Sequence, residues 1–381
     1  MGRIELHWLC NSPSPYNTDV FRALAREPQI DLTVHYWQLS IPSHPWQSSL
    51  TEGYRSRGFT TLFGIDWKLI RLALRRPKPA VRRMFVIAGW DHPACIVLLL
   101  VLGLGTGRYL IWTDTPNPGR QRSLWFAVLR SLWLKWILRR AYRVMGTGQP
   151  AIDALRLMGV PPKKLANFPY WIDLSKYVFS GQTRHRSGDT SRPIRFLSSG
   201  RIQNALKGHD IAIRALAEQA RKGEKDFEYR IAGAGEDENA LRGLLEESGL
   251  GDHVELLGWL EPEQLRDELY SADVLIHPSP VHEPYGVAII EAMAAGLVVL
   301  ASDVTCAALD RIEHGVNGYI HKAGDVKELA VQIGELMDDP ARLAIMGQRA
   351  RSTAERWPLE RAVRLIRELA GEIPRIERHF V

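Results

Sequence analysis

The sequence predicts an α/β protein: two facing Rossmann-like, doubly wound domains with a cleft between them. Three observations carry that prediction. Short β-branched runs alternate with helical patterns, as they do where helices cover parallel sheets. The alternation breaks once, at the polar stretch SKYVFSGQTRHRSGDTSRP (175–193), and then restarts. At 381 residues with 45% hydrophobic content, the chain exceeds one ordinary domain and can fill two cores.

In the first half the strand candidates are, in order, IELHWLC (4–10), DLTVHYW (31–37), RMFVIAG (83–89), RYLIWTD (108–114) and YRVMGTG (142–148). Helical patterns separate most of them, and the segment from about 38 to 66 is less regular. Gly, Ser and Pro in 176–193 mark a linker. After it come IRFLSSG (194–200), EYRIAGAG (228–235), HVELLGW (253–259), DVLIHPS (273–279) and LVVLAS (297–302), each followed by a helical pattern. The expected division is a first domain over 1–175, the linker 176–193, a second domain over 194–356, and a C-terminal helix in 357–381 that packs back towards the first domain. In doubly wound sheets ligands bind beyond the carboxyl ends of the strands. The cleft between two such domains is therefore the expected active site.

Composition narrows the function. Cys10, Cys95 and Cys306 lie far apart, without CxxC or metal-ligand spacing, which points to a reduced, cytoplasmic protein. The opening MGRIELHWLC alternates like a strand and carries an early glutamate, unlike a secretory signal. The longest apolar run, ACIVLLLVLGLG (94–105), has twelve residues, short of the ~20 a membrane-spanning helix needs. The net charge of +6 is local: 67–83 and 120–143 each hold seven Lys or Arg and no acid. Those fourteen charges leave the rest of the chain net acidic by eight. A local basic patch implies an anionic surface near the N-terminal half.

The chemistry concentrates in HEPYGVAIIEAMAAG (282–296). Glu283 and Glu291 are eight positions apart, the second inside an apolar run, and a carboxylate placed there needs a partner. DVLIHPS reads as a strand and PYGVAIIEAMAAG as a helix with Pro284 in its first turn. Glu283 then stands beside the helix N-terminus, and Glu291 lies ~10–12 Å further along the axis. Between them the amides of Tyr285, Gly286 and Val287 form an anion site. Acceptors flanking an anion site suit a nucleotide sugar, with its sugar, diphosphate and ribose. In SSGRIQNALKGHD, Arg201 and Lys207 add two cations at a strand's carboxyl end, suited to a diphosphate.

These motifs resemble a known family. SGRI followed by KG, then IAGAGEDENALRGLLEESGLGDHVELLGWL, ADVLIHPSPVHEPYGVAIIEAMAAGLVVLASD and GVNGYI look like the retaining GT-B nucleotide-sugar glycosyltransferases that share an E-x7-E motif (glycosyltransferase family 4). The resemblance runs from 194 to about 340. In the first half, CNSPSPYNTDVFRALA, IWTDT and NFPYWIDLSKY sit at the family's first loop, central strand end and crossover. The resemblance implies that Glu283 holds hydroxyls of the donor sugar and Glu291 those of the ribose. It implies that Arg201 and Lys207 stabilise the departing diphosphate, with Tyr285, Gly286, Val287 and Asn17 also at the donor. It further implies that the leaving phosphate oxygen serves as base, so that configuration is kept without a covalent intermediate. Nor does the sequence show a placed nucleophile–base pair or a DxD carboxylate pair, so no cofactor and no obligatory metal are expected.

Three positions depart from the family pattern. The first loop has Pro15–Tyr16–Asn17–Thr18 in place of a glycine pair, Asp114 stands where a histidine is usual, and Val298 replaces a proline. Asp114 and Asp91 compete for a sugar-facing role, Asp91 also suiting a helix N-cap before Pro93. GAGEDE lacks the third glycine of a dinucleotide fingerprint. His277, His282, His314 and His321 show no metal spacing. Trp125, Trp133 and Trp136 are most simply the buried face of a helix. The alternative is a cationic, tryptophan-bearing surface against anionic lipid, formed with 67–83.

The expected protein is thus a cytoplasmic glycosyltransferase, peripheral on the inner face of the membrane. It takes a UDP- or GDP-linked sugar and acts on a lipid-linked or surface-polysaccharide acceptor. A sugar-nucleotide epimerase or phosphorylase of the same fold is the nearest rival, and a non-catalytic membrane adaptor the rival from another class. No nucleic-acid module accompanies the basic patches, so nucleic acid is not an expected partner.

Overall fold

The structure, a computed structural model, describes residues 3–39, 51–59, 65–78, 81–105, 109–117, 123–177, 192–223 and 226–372. It divides into two compact units, Met1–Ile172 with Pro358–Val381, and Asp173–Trp357. Most of the expected linker, 178–191, and the end of the C-terminal segment, 373–381, lie outside the described residues. Each unit is a parallel, doubly wound sheet, as the alternating pattern predicts.

In the first unit β1 (Ile4–Cys10) leads through α1 (Pro15–Ala25) to β2 (Ile30–Tyr36) and β3 (Arg55–Gly58). α2 (Trp67–Leu74) carries the chain to β4 (Arg82–Ala88). Then follow α3 (Pro93–Leu104), β5 (Tyr109–Thr113), α4 (Leu124–Arg140), β6 (Arg143–Gly146), α5 (Gln149–Leu157) and β7 (Leu165–Asn167). The strands pair in the order β3-β2-β1-β4-β5-β6-β7, all parallel. β3 and β7 are not among the sequence-predicted strands. Both are edge strands of at most four residues, and an edge strand need not carry a buried apolar face.

Local signals fix the helix starts. Asp66 caps α2 by accepting from the amides of Lys68 and Leu69, each at 3.0 Å. The cap of α3 is His92, whose Nδ1 accepts from the Ala94 amide at 3.2 Å, with Pro93 at the first helical position. Asp91 therefore lies one residue outside the cap that the sequence offered it, and it is exposed. Pro15–Thr18 is the first turn of α1 rather than a loop, because proline at the first helical position is already set for helix.

α2 packs on α3 and α3 on α4, so the three helices cover one face of the sheet. Leu69, Ile70, Leu98, Leu102, Ile137 and Leu138 fill that core with Phe85, Ile87 and Ile111 of the strands. The tryptophans of α4 do not form one buried face. Trp125 is 84% exposed, while Trp133 and Trp136 are half-buried and stack 5.7 Å apart. The C-terminal half of α4 reaches the core through Leu134, Ile137 and Leu138, while none of the described side chains of its N-terminal half is buried.

A directed hydrogen-bond chain crosses four strands. Arg57 Nε can only donate, and it meets His35 Nδ1 at 2.7 Å. His35 must then carry its proton on Nε2, which donates to His7 Nδ1 at 3.1 Å. His7 in turn donates from Nε2 to Glu5 Oε1 at 3.2 Å, and Arg83 Nε donates to Glu5 Oε2 at 2.8 Å. Burial, with His7 and Arg57 beside it, pushes His35 down to about 2. The His7 hydrogen bond, opposed by burial and reinforced by Arg83, pulls Glu5 down to about 2. An unfolded chain protonates histidine near ~6.5 and glutamate near ~4.3, so below each value it binds a proton that the folded chain refuses. Stability is therefore complete above ~6.5 and falls as the pH drops, His35 acting first and Glu5 adding its share below ~4.5. Urea unfolding of a His35→Asn variant at pH 5 is expected to show about one fewer proton taken up than the parent. An unchanged slope would remove His35 from the account.

In the second unit β8 (Ile194–Ser199) is followed by α6 (Asn204–Lys207), α7 (His209–Arg221), β9 (Phe227–Ala232), α8 (Glu238–Ser248), β10 (Val254–Gly258) and α9 (Pro262–Ser271). The chain continues through β11 (Val274–His277), α10 (Val287–Ala294), β12 (Val298–Ser302), α11 (Cys306–Arg311) and β13 (Gly318–His321). It ends in α12 (Val326–Asp338) and α13 (Pro340–Glu355). Strand order is β10-β9-β8-β11-β12-β13, again all parallel. The order reverses between β8 and β11, which is where sheets of this topology bind ligands. α14 (Leu359–Glu372) belongs to the first unit and packs on α1.

Candidate functional site

At that reversal the second unit collects Lys207, Glu283, His277 and Ser279. His277 is the last residue of β11, and Ser279 and Glu283 stand in the loop after it. Lys207 ends α6, which follows β8. Lys207 Nζ donates to Glu283 Oε1 at 2.5 Å. Glu283 Oε2 accepts from His277 Nε2 at 3.0 Å and from the Ser279 hydroxyl at 2.5 Å. Burial alone would raise this carboxyl, but His277 and Lys207 outweigh it and hold it well below the usual carboxylate range. Glu283 is thus ionised at any physiological pH. An ionised carboxylate only accepts, so His277 carries its proton on Nε2.

Glycines bring these groups together. Gly208 has φ +69, and a Cβ there would overlap the Pro278 carbonyl oxygen. Only glycine lets the chain after Lys207 lie against the end of β11. Gly233 and Gly235 of GAGEDE do the same on the other side. A Cβ at either would overlap the carbonyl oxygen of Gly200 or Ile202, and Ile202 N donates to Ala234 O at 3.0 Å. The glycines that imitate a dinucleotide fingerprint therefore serve to lock the Arg201 loop to its neighbour. Arg201 itself is exposed, its backbone carbonyl receiving His209 Nε2 at 3.2 Å. Burial takes His209 down to about 4.

The helix carrying Glu291 starts later than the sequence predicts. α10 begins at Val287, capped by Gly286 at φ +99, and Pro284 remains in the loop. Glu283 N donates to Val304 O at 3.0 Å and Ala307 N to Tyr285 O at 2.7 Å, which pins 283–285 beside the start of α11. At Gly286 a Cβ would come within 2.8 Å of Thr305 Cγ2. The helix-opening amides are therefore those of Val287 and Ala288, which lack intrahelical acceptors. Tyr285 is buried, its hydroxyl accepting from Arg311 Nη2 at 3.3 Å, so its side chain packs inward. Glu291 lies about one turn into α10, half-buried, with the Tyr177 hydroxyl donating to Oε1 at 3.0 Å.

The structure thus joins Lys207 and Glu283 directly, and places Arg201, Gly286, Val287 and Glu291 on the loops and helix around them. Sequence reasoning missed the partners: His277, Ser279 and Tyr177 were not assigned to either glutamate. The HPS tripeptide closing β11, four to six residues before Glu283, was the available signal for the first two.

Asn17 and Asp114 belong to the first unit. Asn17 is half-buried in the first turn of α1, next to Tyr16, whose ring meets Tyr170 edge-on at 5.0 Å. Asp114 follows β5, with Tyr170 as hydrogen-bond partner. It reaches solvent, yet protein surrounds it closely enough that burial raises its carboxyl, against the Tyr170 hydrogen bond. Among the described residues no three or more His, Cys, Asp or Glu side chains are grouped to hold a metal ion.

Comparison with known proteins bears on the second unit above all. Residues 181–353 match the family model described as glycosyl transferases group 1. The chain is 34% identical over 164 residues to an exopolysaccharide phosphotransferase of Streptomyces coelicolor, a match covering 43% of this chain and 17% of that protein. It is 32% identical over 187 residues to the putative colanic acid biosynthesis glycosyltransferase WcaL of Salmonella typhimurium, covering 48% of this chain and 44% of WcaL. The chain thus spans less than half the length of these relatives. Among solved structures, Anabaena HepE in complex with UDP shares the fold with a TM-score of 0.74 over 97% of this chain and 99% of HepE, at 17% identity. The fold is GT-B, two Rossmann-like domains. Over residues 181–353 the chain is similar to the glycosyl transferases group 1 family.

Proposed function

We propose that the protein is a retaining glycosyltransferase that moves a sugar from a nucleoside-diphosphate sugar to an acceptor hydroxyl. The second unit takes the donor and the first unit the acceptor. The observation that carries this reading is the ionised Glu283, held by Lys207 and His277 beside the opening amides of α10. Supporting it are the group 1 family match, the UDP in the HepE crystal, and the colanic acid assignment of WcaL. The acceptor is a surface-polysaccharide or lipid-linked glycan, reached from the cytoplasm.

In this reading Glu283 accepts from donor-sugar hydroxyls and Glu291 from ribose hydroxyls, with the α10 amides on the phosphates. Lys207 has three donors, so it can serve Glu283 and a phosphate together. As the glycosidic bond lengthens, charge grows on the departing diphosphate, and the cations of Lys207, held by Glu283, and Arg201 stabilise that state more than the ground state. The leaving phosphate oxygen takes the acceptor's proton, so neither a protein nucleophile nor a metal ion is required.

Thermal melting in EDTA with UDP, GDP and ADP tests the donor side. A ligand at a hundred times its Kd adds about 2.7 kcal/mol, enough to move the midpoint visibly. One nucleotide class is expected to stabilise the protein, and Glu291→Gln to lose that shift. Silence across the panel, or an equal shift in Glu291→Gln, would refute the assignment.

A further inference from the structure

We propose that the outward face of α2, α3 and α4 is a docking surface for an anionic phospholipid bilayer. It concerns the first unit alone and stands whether or not the transferase reading holds. Leu134, Ile137 and Leu138 already give α4 its core contacts, and a helix so placed ordinarily turns polar residues outward. Instead Trp125, Val128, Leu129 and Leu132 recur at i, i+3, i+4 and i+7, all exposed, on the side opposite the buried one. The neighbouring helices continue the pattern. On α2, Leu69 and Ile70 are buried while Trp67 and Leu74, seven apart, are exposed; α3 ends in Leu104, 72% exposed. Isolated exposed apolar side chains are ordinary, but a run of them across three adjoining helices forms a patch.

Charge selects the occupant. Lys68, Arg71, Arg75, Arg76 and Lys78 on and after α2, and Lys135 and Arg139 on α4, are exposed, and 67–78 and 123–143 contain no acid. A second copy of this chain would set the same positive charge against itself. A nucleic acid would neutralise the charge and leave the tryptophans and leucines wet. An anionic bilayer satisfies both, headgroups meeting Lys and Arg while Trp and Leu enter the acyl boundary. Among the described residues no helix is long and apolar enough to cross a membrane, so the contact is interfacial.

The test is flotation of the full chain with phosphatidylglycerol–phosphatidylcholine vesicles and with phosphatidylcholine alone. Binding is expected to the mixed vesicles, and to fall with salt. A Trp125→Ser/Leu129→Ser double variant should bind about tenfold more weakly or worse, and Arg71→Glu/Lys135→Glu should lose the preference for anionic lipid. All four positions are exposed, so melting midpoints should not change. Equal flotation with neutral vesicles, or full binding by the double variant, would overturn the proposal. So would an absence of binding, including the case where light scattering finds a dimer that the double variant abolishes, which would give the face to self-association.

Discussion

Glu283→Gln is expected to lower sugar transfer by about a hundred- to a thousandfold while the second unit stays folded. Glutamine keeps the shape and removes the charge. The loss falls on three donors at once, since Lys207, His277 and Ser279 all point at this carboxylate. An amide offers one acceptor oxygen, so its NH2 must face one of those donors. Breaking a largely buried ion pair from one side costs about 3–5 kcal/mol, so the melting midpoint should fall too. Adding Lys207→Met removes the stranded cation and should return part of that stability without returning activity. This divergence separates a chemical role from a structural one. Undiminished turnover in a folded Glu283→Gln protein would end the assignment of Glu283 to the donor.

Gly208→Ala should destabilise the second unit by about 2–5 kcal/mol, from a left-handed backbone forced on alanine plus an overpacked contact. The added methyl has nowhere to go, because its neighbour is the backbone carbonyl of Pro278. Gly249→Ala is the control. It has nearly the same φ, +66, at the end of α8, but nothing lies within 4 Å of its added Cβ. It should cost only the backbone share, about 1 kcal/mol. Equal losses in urea unfolding of the two variants would mean that the seam at Pro278 yields, and that Lys207 is not positioned by it.

The central strands were legible because they are buried on both faces and read as continuous apolar runs, VVLAS and VLIH among them. β3 was not, since RSRG at an edge has no such run. The start of α10 misled because Pro284 is a sound helix signal taken alone, whereas Gly286 and the contacts of 283–285 with α11 are tertiary facts. α4 defeated periodicity for a plainer reason: both of its faces are apolar, and the sequence does not say which one meets the core. Within the candidate site the two glutamates and two cations could be read from motif spacing. For their partners the sequence offers only the nearness of HPS, because His277 reaches Glu283 across a loop whose path depends on Thr305 and Gly286.

The glycine contacts around the Arg201 loop bear on how such a protein can be changed. Gly200, Ile202, Gly233, Gly235, Gly208 and Pro278 meet backbone against backbone, so three loops are coupled without an intervening side chain that could be exchanged. Selection or engineering for a different ligand has little to vary along that seam, where an added carbon is a collision. Diversity must instead come from positions on its outer rim, such as Ala205, Leu206 and Glu236, all exposed. A mutational library spent there would sample new preferences on an unaltered frame, whereas one spent on the glycines would mostly sample unfolded chains.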